Sequence, residues 1–411
     1  DYMDRIKEDK KPALQKLGKD VGLHTLSYLS NKDLVSMSLS SSQNREEVIT
    51  ILINRLNTGE NTLDEMGIKT VNQAIGFFGE RSLEIFRLDL REFSIDDSDI
   101  KNLVENFPKI QHLVLDKSEI TNEDASFFEK MNHLTHLDLA QCIDLSFLAS
   151  CPSLRSLTFR NSEVSDIGIL EKCPFLTSLN LELCPRIQDI SVLKNLPSLT
   201  SLSLSCCGQI NDFSFLEHCK GLTSLDLTGC DQINDFNFLQ HCKGLTSLNL
   251  SKCNQINDLS FLQHCKGLTS LNLSWCRQFK DISFLQHCKD LISLDLSWCD
   301  QISDFNFLKH SKFLTSLNLR MCRQINDISF LEQCNKIKRL DLSWCSQIKD
   351  ISFLLHCKDL ISLDLSSCSQ INDFSFLQQF KDLTSVDLSG CSRNAIVSAQ
   401  NLRGRGVKVN R

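Results

Sequence analysis

The phrase L-x-x-L-x-L-x-x-C returns every 23 residues, starting at Leu222, Leu245, Leu268, Leu291, Leu314, Ile337, Leu360 and Leu383. Self-similarity at so short a period rules out a single compact core. Each unit is one supersecondary element, and it buries its apolar face only by stacking on its neighbour. The register continues backward with looser spacing through Leu199, Leu176, Leu154, Leu134 and Ile110, and Leu83 is the earliest candidate start, giving about fourteen units. The 411-residue length, which alone would suggest two or three domains, is therefore a poor guide here.

One unit shows the local chemistry. Leu271 and Leu273 alternate with Ser270, Asn272 and Ser274, so a short strand should point its leucines inward and its polar residues outward. Asp281 is placed to cap a short return helix or single helical turn, on which Phe284, Leu285 and Cys288 share an apolar face. The phenylalanine recurs at Phe215, Phe238, Phe261, Phe284, Phe307, Phe330, Phe353 and Phe376, which predicts a stacked aromatic spine. Strand plus return segment at this period is the signature of the leucine-rich repeat, and the "CxQIxD" phrase resembles the cysteine-containing class of that family. The resemblance implies an α/β repeat solenoid: a horseshoe with a concave parallel sheet and short convex helices.

The 20 cysteines sort into two ladders. Eleven close the strand phrase, at Cys142, Cys184, Cys207, Cys230, Cys253, Cys276, Cys299, Cys322, Cys345, Cys368 and Cys391. Eight end the return segment, at Cys151, Cys173, Cys219, Cys242, Cys265, Cys288, Cys334 and Cys357, and Cys206 is left over. Buried thiols as small hydrophobes suit both positions. Neighbouring strands also lie within disulfide reach, but any cysteine could then pair with either neighbour, so we expect free thiols in a reducing, cytoplasmic compartment. Adjacent His-Cys pairs such as His287 and Cys288 diverge on a helix, and no C-x₂₋₄-C element occurs, so neither metal nor cofactor is expected. The His218, His241, His264, His287, His310 and His356 series, and the lysines two residues beyond each, read as solvated edges. The "NLS" sequons at Asn249 and Asn272 lie on strands and are by-products of the repeat.

In a duplicated array the deviations carry information. The central outward position is a mildly acidic ladder that includes Asp295, Asn318 and Asp341. The position before the strand cysteine carries Gly229, Lys252, Trp275, Trp298, Met321, Trp344, Ser367 and Gly390, so all three tryptophans fall in four consecutive units with one methionine. Arg277, Arg320, Arg323 and Arg339 fall in the same units. Trp, Met and Arg are enriched at protein interfaces, so these residues form the candidate partner surface. The competing reading is that block duplication copied one locally packed tryptophan.

The charge balance, 44 basic against 51 acidic residues for a net −7, disfavours nucleic acid as a partner. No run of about 18 apolar residues offers a membrane span, and the N-terminus lacks a signal-peptide core.

Before residue 83 the pattern turns helical. Leu17, Leu23, Leu26, Ser27, Tyr28, Leu29, Asp33 and Leu34 resemble the F-box motif, although Gly18 stands where that family usually has proline and no tryptophan follows. An F-box commonly precedes cysteine-containing leucine-rich repeats. The resemblance implies that Leu17, Leu23, Leu26, Tyr28, Leu29 and Leu34 dock a Skp-family adaptor of a cullin-RING (SCF-type) ubiquitin ligase, while the solenoid selects a protein substrate. The alternative for this region is a helical cap over the first edge of the solenoid. The expected division is residues 1–56 F-box-like, 57–82 linker and N-terminal cap, 83–391 repeats and 392–411 C-terminal cap. No separate catalytic domain remains once the repeats are subtracted, so a non-enzymatic adapter is expected. The alternative is a stand-alone interaction scaffold or microbial effector acting on a host protein without a ligase link.

Overall fold

The computed structural model describes residues 29–410, apart from 41–44, 61, 96, 116–127, 129, 142–144, 393–400 and 405. The chain divides into two units: residues 1–164 with 168–176, and residues 165–167 with 177–411.

Among the described residues the first unit opens with three helices. Helix α1 (Asn31–Ser40) is capped by Ser30, whose hydroxyl accepts the Asp33 N–H at 3.3 Å, and it packs on α2 (Arg45–Thr58). Val48, Ile49, Leu52 and Leu56 repeat at helical spacing on α2, and all are buried. Helix α3 (Val71–Phe78) starts at Thr70, whose hydroxyl accepts the Gln73 N–H. Strands β1 (Arg87–Asp89), β2 (His112–Leu115), β3 (His136–Ala140) and β4 (Ser156–Arg160) then pair in parallel, with Leu88, Leu113, Leu137 and Leu157 in register. The inward positions of the first strand are Ile85, Leu88 and Leu90, while Leu83 lies in a 3₁₀ turn and is 45% exposed. The repeat register therefore starts at Ile85, with Phe93 in the place later held by cysteine. Between register partners Arg87 and His112 lie 25 residues, enough for an α-helical return, α4 (Asp97–Asn106). Helix α2 lies against β1, and Asn57 ties the two: its amide donates to the Glu84 carbonyl and its side-chain carbonyl accepts the Phe86 N–H, both at 3.0 Å.

The second unit is the leucine-rich-repeat solenoid in its regular form. Strands β5 (Ser178–Asn180), β6 (Ser201–Ser203), β7 (Ser224–Asp226), β8 (Ser247–Asn249), β9 (Ser270–Asn272), β10 (Ser293–Asp295), β11 (Ser316–Asn318), β12 (Arg339–Asp341), β13 (Ser362–Asp364), β14 (Ser385–Asp387) and β15 (Lys408–Asn410) pair in parallel, each with the next. Leucine stacks on leucine from Leu179 to Leu363, followed by Val386 and Val409. A short helix, α5 (Asn401–Gly404), precedes β15.

The return segments of this unit are 3₁₀ turns such as Ser283–His287, not α-helices. In this segment the buried residues fall at every third position, Ile282, Leu285 and Cys288, which matches three residues per turn, while in other repeats Phe215, Phe261, Phe307 and Phe330 are buried as well. Phe284 is only half-buried, so the expected shared face of Phe284, Leu285 and Cys288 gives way to this threefold stripe. Asp281 sits one residue outside the cap position: its carboxylate accepts the Ser283 N–H at 2.9 Å, and that bond holds its pKa below the usual carboxylate value. Asp212, Asp235, Asp258, Asp304, Asp327, Asp350 and Asp373 repeat the contact. The aromatic spine is also rearranged. Phe238 stacks at 4.8 Å on Phe213, two positions before the repeating phenylalanine of the previous unit, and Phe261 follows suit on Phe236.

Candidate protein-binding surface at the strand exits

Each strand of the second unit ends in a tight turn that makes the same backbone demand. In Leu273–Cys276 the Cys276 N–H returns to the Leu273 carbonyl, while the Trp275 N–H reaches across to Ser297 of the next repeat at 2.8 Å. Serving both partners puts the third residue of the turn at positive φ, a conformation that favours glycine. Gly229 and Gly390 meet that demand, whereas Leu183, Cys206, Lys252, Trp275, Trp298, Met321, Trp344 and Ser367 adopt it with φ between 59° and 65°. Cys206 is thus no stray: it is the exposed occupant of this turn position, next to the buried Cys207.

The same turn explains the polar ladder. Asp295, Asn318 and Asp341 accept the N–H two residues on, from Ser297, Arg320 and Ser343, at 2.8, 3.0 and 2.8 Å. Their first role is therefore to hold the strand exit. Asn318 also donates to Asp295 at 3.0 Å. Asp341 is raised above the usual carboxylate range, by burial first and by neighbouring Asp364 as well. Ser274, read as outward, is buried with Ser297 and Ser343, because the chain turns over them at once.

The strand-end cysteines are donors as well as fillers. Cys276 Sγ donates to the carbonyl of Leu250 in the preceding repeat at 3.1 Å, and Cys207, Cys230, Cys253, Cys299, Cys322, Cys345, Cys368 and Cys391 repeat the bond at 3.0–3.2 Å. Burial pushes the Cys276 thiol up to about 12, with Cys299 adding to the effect, so it stays protonated and able to donate. All nineteen described cysteines are free thiols. Among the described residues no group of three or more His, Cys, Asp or Glu is placed to hold a metal ion.

Against this uniform frame the tryptophans stand out. Trp275 and Trp298 stack with ring centroids 4.1 Å apart and planes 14° from parallel. The Arg277 guanidinium lies over both, 5.1 and 5.4 Å from the two centroids. Trp275 is 37% exposed and Trp344 45%, Trp298 is half-buried, and Met321 is buried at 6%. The structure therefore joins Trp275, Trp298 and Arg277 into one cluster, with Trp344 exposed two repeats beyond Trp298. Met321 is withdrawn as a contact residue, since the core takes its side chain. Of the other arginines, Arg323 is exposed at the same repeat position as Arg277. Half-buried Arg320 donates to Ser343 at 3.3 Å, and Arg339 is exposed at the start of β12.

The N-terminal candidates divide differently. Leu17, Leu23, Leu26 and Tyr28 lie outside the described residues. Leu29 is half-buried, and Leu34 is fully buried on α1, so Leu34 serves the helical core and is not free to meet an adaptor.

One cluster went unseen in the sequence. On the first unit's sheet, His112 and His136 stack with centroids 4.7 Å apart, and an Arg87 guanidinium nitrogen is 2.9 Å from His112 Nδ1. Burial first, then Arg87 and His136, pull the His112 pKa down to about 4. The signal was available: both histidines occupy the phrase position that later repeats fill with serine.

Comparison with known proteins agrees with this architecture. A family model for paired leucine-rich repeats matches residues 152–195 and 197–241, and a single-repeat model matches 287–304. The fold is similar to internalin InlF of Listeria monocytogenes (25% identity, TM-score 0.62, covering 77% of this chain and 88% of that one). It is also similar to a leucine-rich-repeat protein of Leptospira interrogans (16% identity, TM-score 0.59, covering 82% and 98%). The functional domain of InlJ from Listeria monocytogenes, described as including a cysteine ladder, shares the fold at 17% identity (TM-score 0.50, covering 75% and 69%). No curated protein matches the chain significantly. No helix among the described residues is long and apolar enough to cross a membrane.

Proposed function

We propose that this chain is a non-catalytic protein-binding module whose partner seats on the strand-exit surface of β9–β12. The observation that carries the reading is the Trp275–Trp298 stack under Arg277, at turn positions where other repeats manage with Gly, Ser or Lys. A bulky side chain at positive φ costs roughly 1–2 kcal/mol relative to glycine. Leu183, Cys206, Lys252 and Ser367 bear the same cost, so what sets the tryptophans apart is the ring area they leave exposed, and a partner contact accounts for it. Rigid aromatic rings beside arginine supply contact area at low entropic cost and are the commonest anchors of binding energy. The test is affinity capture from lysate with wild type and with a Trp275/Trp298/Trp344→Ser variant of unchanged melting temperature. Loss of the same partner locates the site, and an identical partner set removes it.

A narrower reading adds a ligase link: residues 17–34 would dock a Skp-family adaptor and deliver the bound protein for ubiquitylation in a reducing cytoplasm. It is supported by the F-box-like residues, of which Leu29 is half-buried, and by the free state of the described cysteines. Helix α2 lying against β1 favours the competing cap role and a stand-alone scaffold. An adaptor pull-down with wild type and Leu29→Asp separates them: binding lost in the variant supports the link, and none in wild type supports the scaffold.

A further inference from the structure

Resting on the protein-binding reading of the strand-exit surface, we infer that its partner presents an acidic, extended peptide segment with two carboxylates three residues apart. The Arg277 guanidinium lies beside the stacked indoles, 5.1 and 5.4 Å from their centroids, and makes no hydrogen bond or ion pair among the described residues. Its five N–H donors are therefore open to a carboxylate, which they take up in paired hydrogen bonds. Contact with the ring pair limits the freedom of an otherwise exposed side chain, so part of the ordering cost is met before binding.

The neighbouring repeats set the spacing. The residue after the strand cysteine is Arg277, then Asp300, then Arg323, in successive repeats, so the charges alternate plus, minus, plus. Parallel strands lie about 4.8 Å apart, which puts the two arginines on the order of 10 Å from each other. A segment in the polyproline II conformation rises about 3.1 Å per residue with three residues per turn, so side chains at i and i+3 lie on one face about 9 Å apart. Asp300, half-buried between the arginines, favours a basic or neutral residue at the middle of that segment. The Trp275 and Trp298 rings, one turn position away, would receive an apolar neighbour of the first carboxylate.

The same charges argue against a nucleic acid. A phosphate backbone carries one sign throughout, and it would meet Asp300 and the Asp295 and Asp341 ladder in a chain of net charge −7.

The test is titration of the full chain, read by tryptophan fluorescence, since all three tryptophans lie at this surface. The probes are synthetic peptides carrying Glu-Gly-Lys-Glu, the inverted Lys-Gly-Glu-Lys, and a single-stranded oligonucleotide. The expected result is at least tenfold tighter binding of the first, weakened by salt and lost in the surface variant Arg277→Glu. Equal binding of the two peptides, no binding at millimolar peptide, or a preference for the oligonucleotide overturns the acidic-segment assignment. Lysate capture keeps the two readings apart. A partner lost on tryptophan substitution but retained by Arg277→Glu leaves the surface standing and removes its acidic chemistry.

Discussion

The two units build the same parallel ladder and finish its open face differently. In the first, the positions between the stacked leucines carry Arg87, His112 and His136, then Asp138 and Arg160, and the repeat length varies between strands. In the second, they carry mostly serine, then asparagine or aspartate tied to its own turn, and the period holds at 23 residues between register partners. In the second unit the cross-strand contacts are themselves repeated, as Asn249 donates to Asp226 and Asn318 to Asp295, so a copied repeat meets the same partner on its neighbour. In the first, Arg160 reaches across to Asp138 at 3.2 Å, and that repeat is fitted to its own neighbour.

The sharpest way to break the contrast is to open the core of one half. Leu317→Ala in the second unit should cost about 2–5 kcal/mol. Because contacts run only between neighbouring repeats, the loss should appear in the tryptophan unfolding curve and in hydrogen exchange of β10–β12 before that of β1–β3. Simultaneous loss of protection in all these strands would show that the contrast has no energetic content.

A smaller effect is expected from the thiol ladder. Cys276→Ala removes the donor to Leu250, but that carbonyl keeps the Cys253 N–H at 3.2 Å, so the cost should be about 1–2 kcal/mol by chemical denaturation. Cys276→Ser, which keeps a donor, should cost less. If the order is reversed, filling matters and donation does not.

Gly390→Ala tests the turn. The added Cβ would sit 2.9 Å from Ser367 Oγ at φ +75°, and a loss of about 1 kcal/mol in stability is expected. Ala at Gly208, where nothing lies within 4 Å and φ is not positive, serves as the neutral control.

Acid should then separate the halves gently. His112 has a folded pKa near 4 against an ordinary 6.5, so between those values the unfolded chain binds more protons and stability falls as pH falls. The Asx-turn carboxylates of the second unit, such as Asp281, are held below 3.8, and their contribution is lost only further down. Hydrogen exchange in β2 and β3 should therefore accelerate between pH 6.5 and 4, with β8–β10 unchanged; His112→Asn should reduce the difference, and because burial also lowers His136, only His112→Asn with His136→Asn should abolish it.

The repeat register, the inward leucines and both cysteine ladders were legible because period and position carry them. The turn geometry was not read, although Gly229 and Gly390 sharing a position with Trp275 was the sign of a backbone demand. The acidic ladder reads as open surface, yet its partner is the N–H two residues on, from Ser297 for Asp295 and Arg320 for Asn318, and that spacing is the mark of a local turn. The thiol donors could not be read at all, since their acceptors lie 26 residues back and are carbonyls, which have no sequence identity. Stacking of Trp275 on Trp298 needed the structure too: the sequence placed them at one repeat position but could not say that both rings would face each other.

The thiol ladder has a consequence for how such a chain can change length. Each repeat brings one sulfhydryl, which looks backward, and one carbonyl, which is read from ahead. A whole repeat inserted or excised in β7–β14 therefore arrives or leaves with its accounts closed, and no buried donor or acceptor is stranded at the seam. Unequal recombination between repeats would then generate longer and shorter arrays that all fold, while shifting the spacing between Arg277 and whatever charge lies two repeats on. Selection could draw new specificities from copy number alone, without a point mutation in the core.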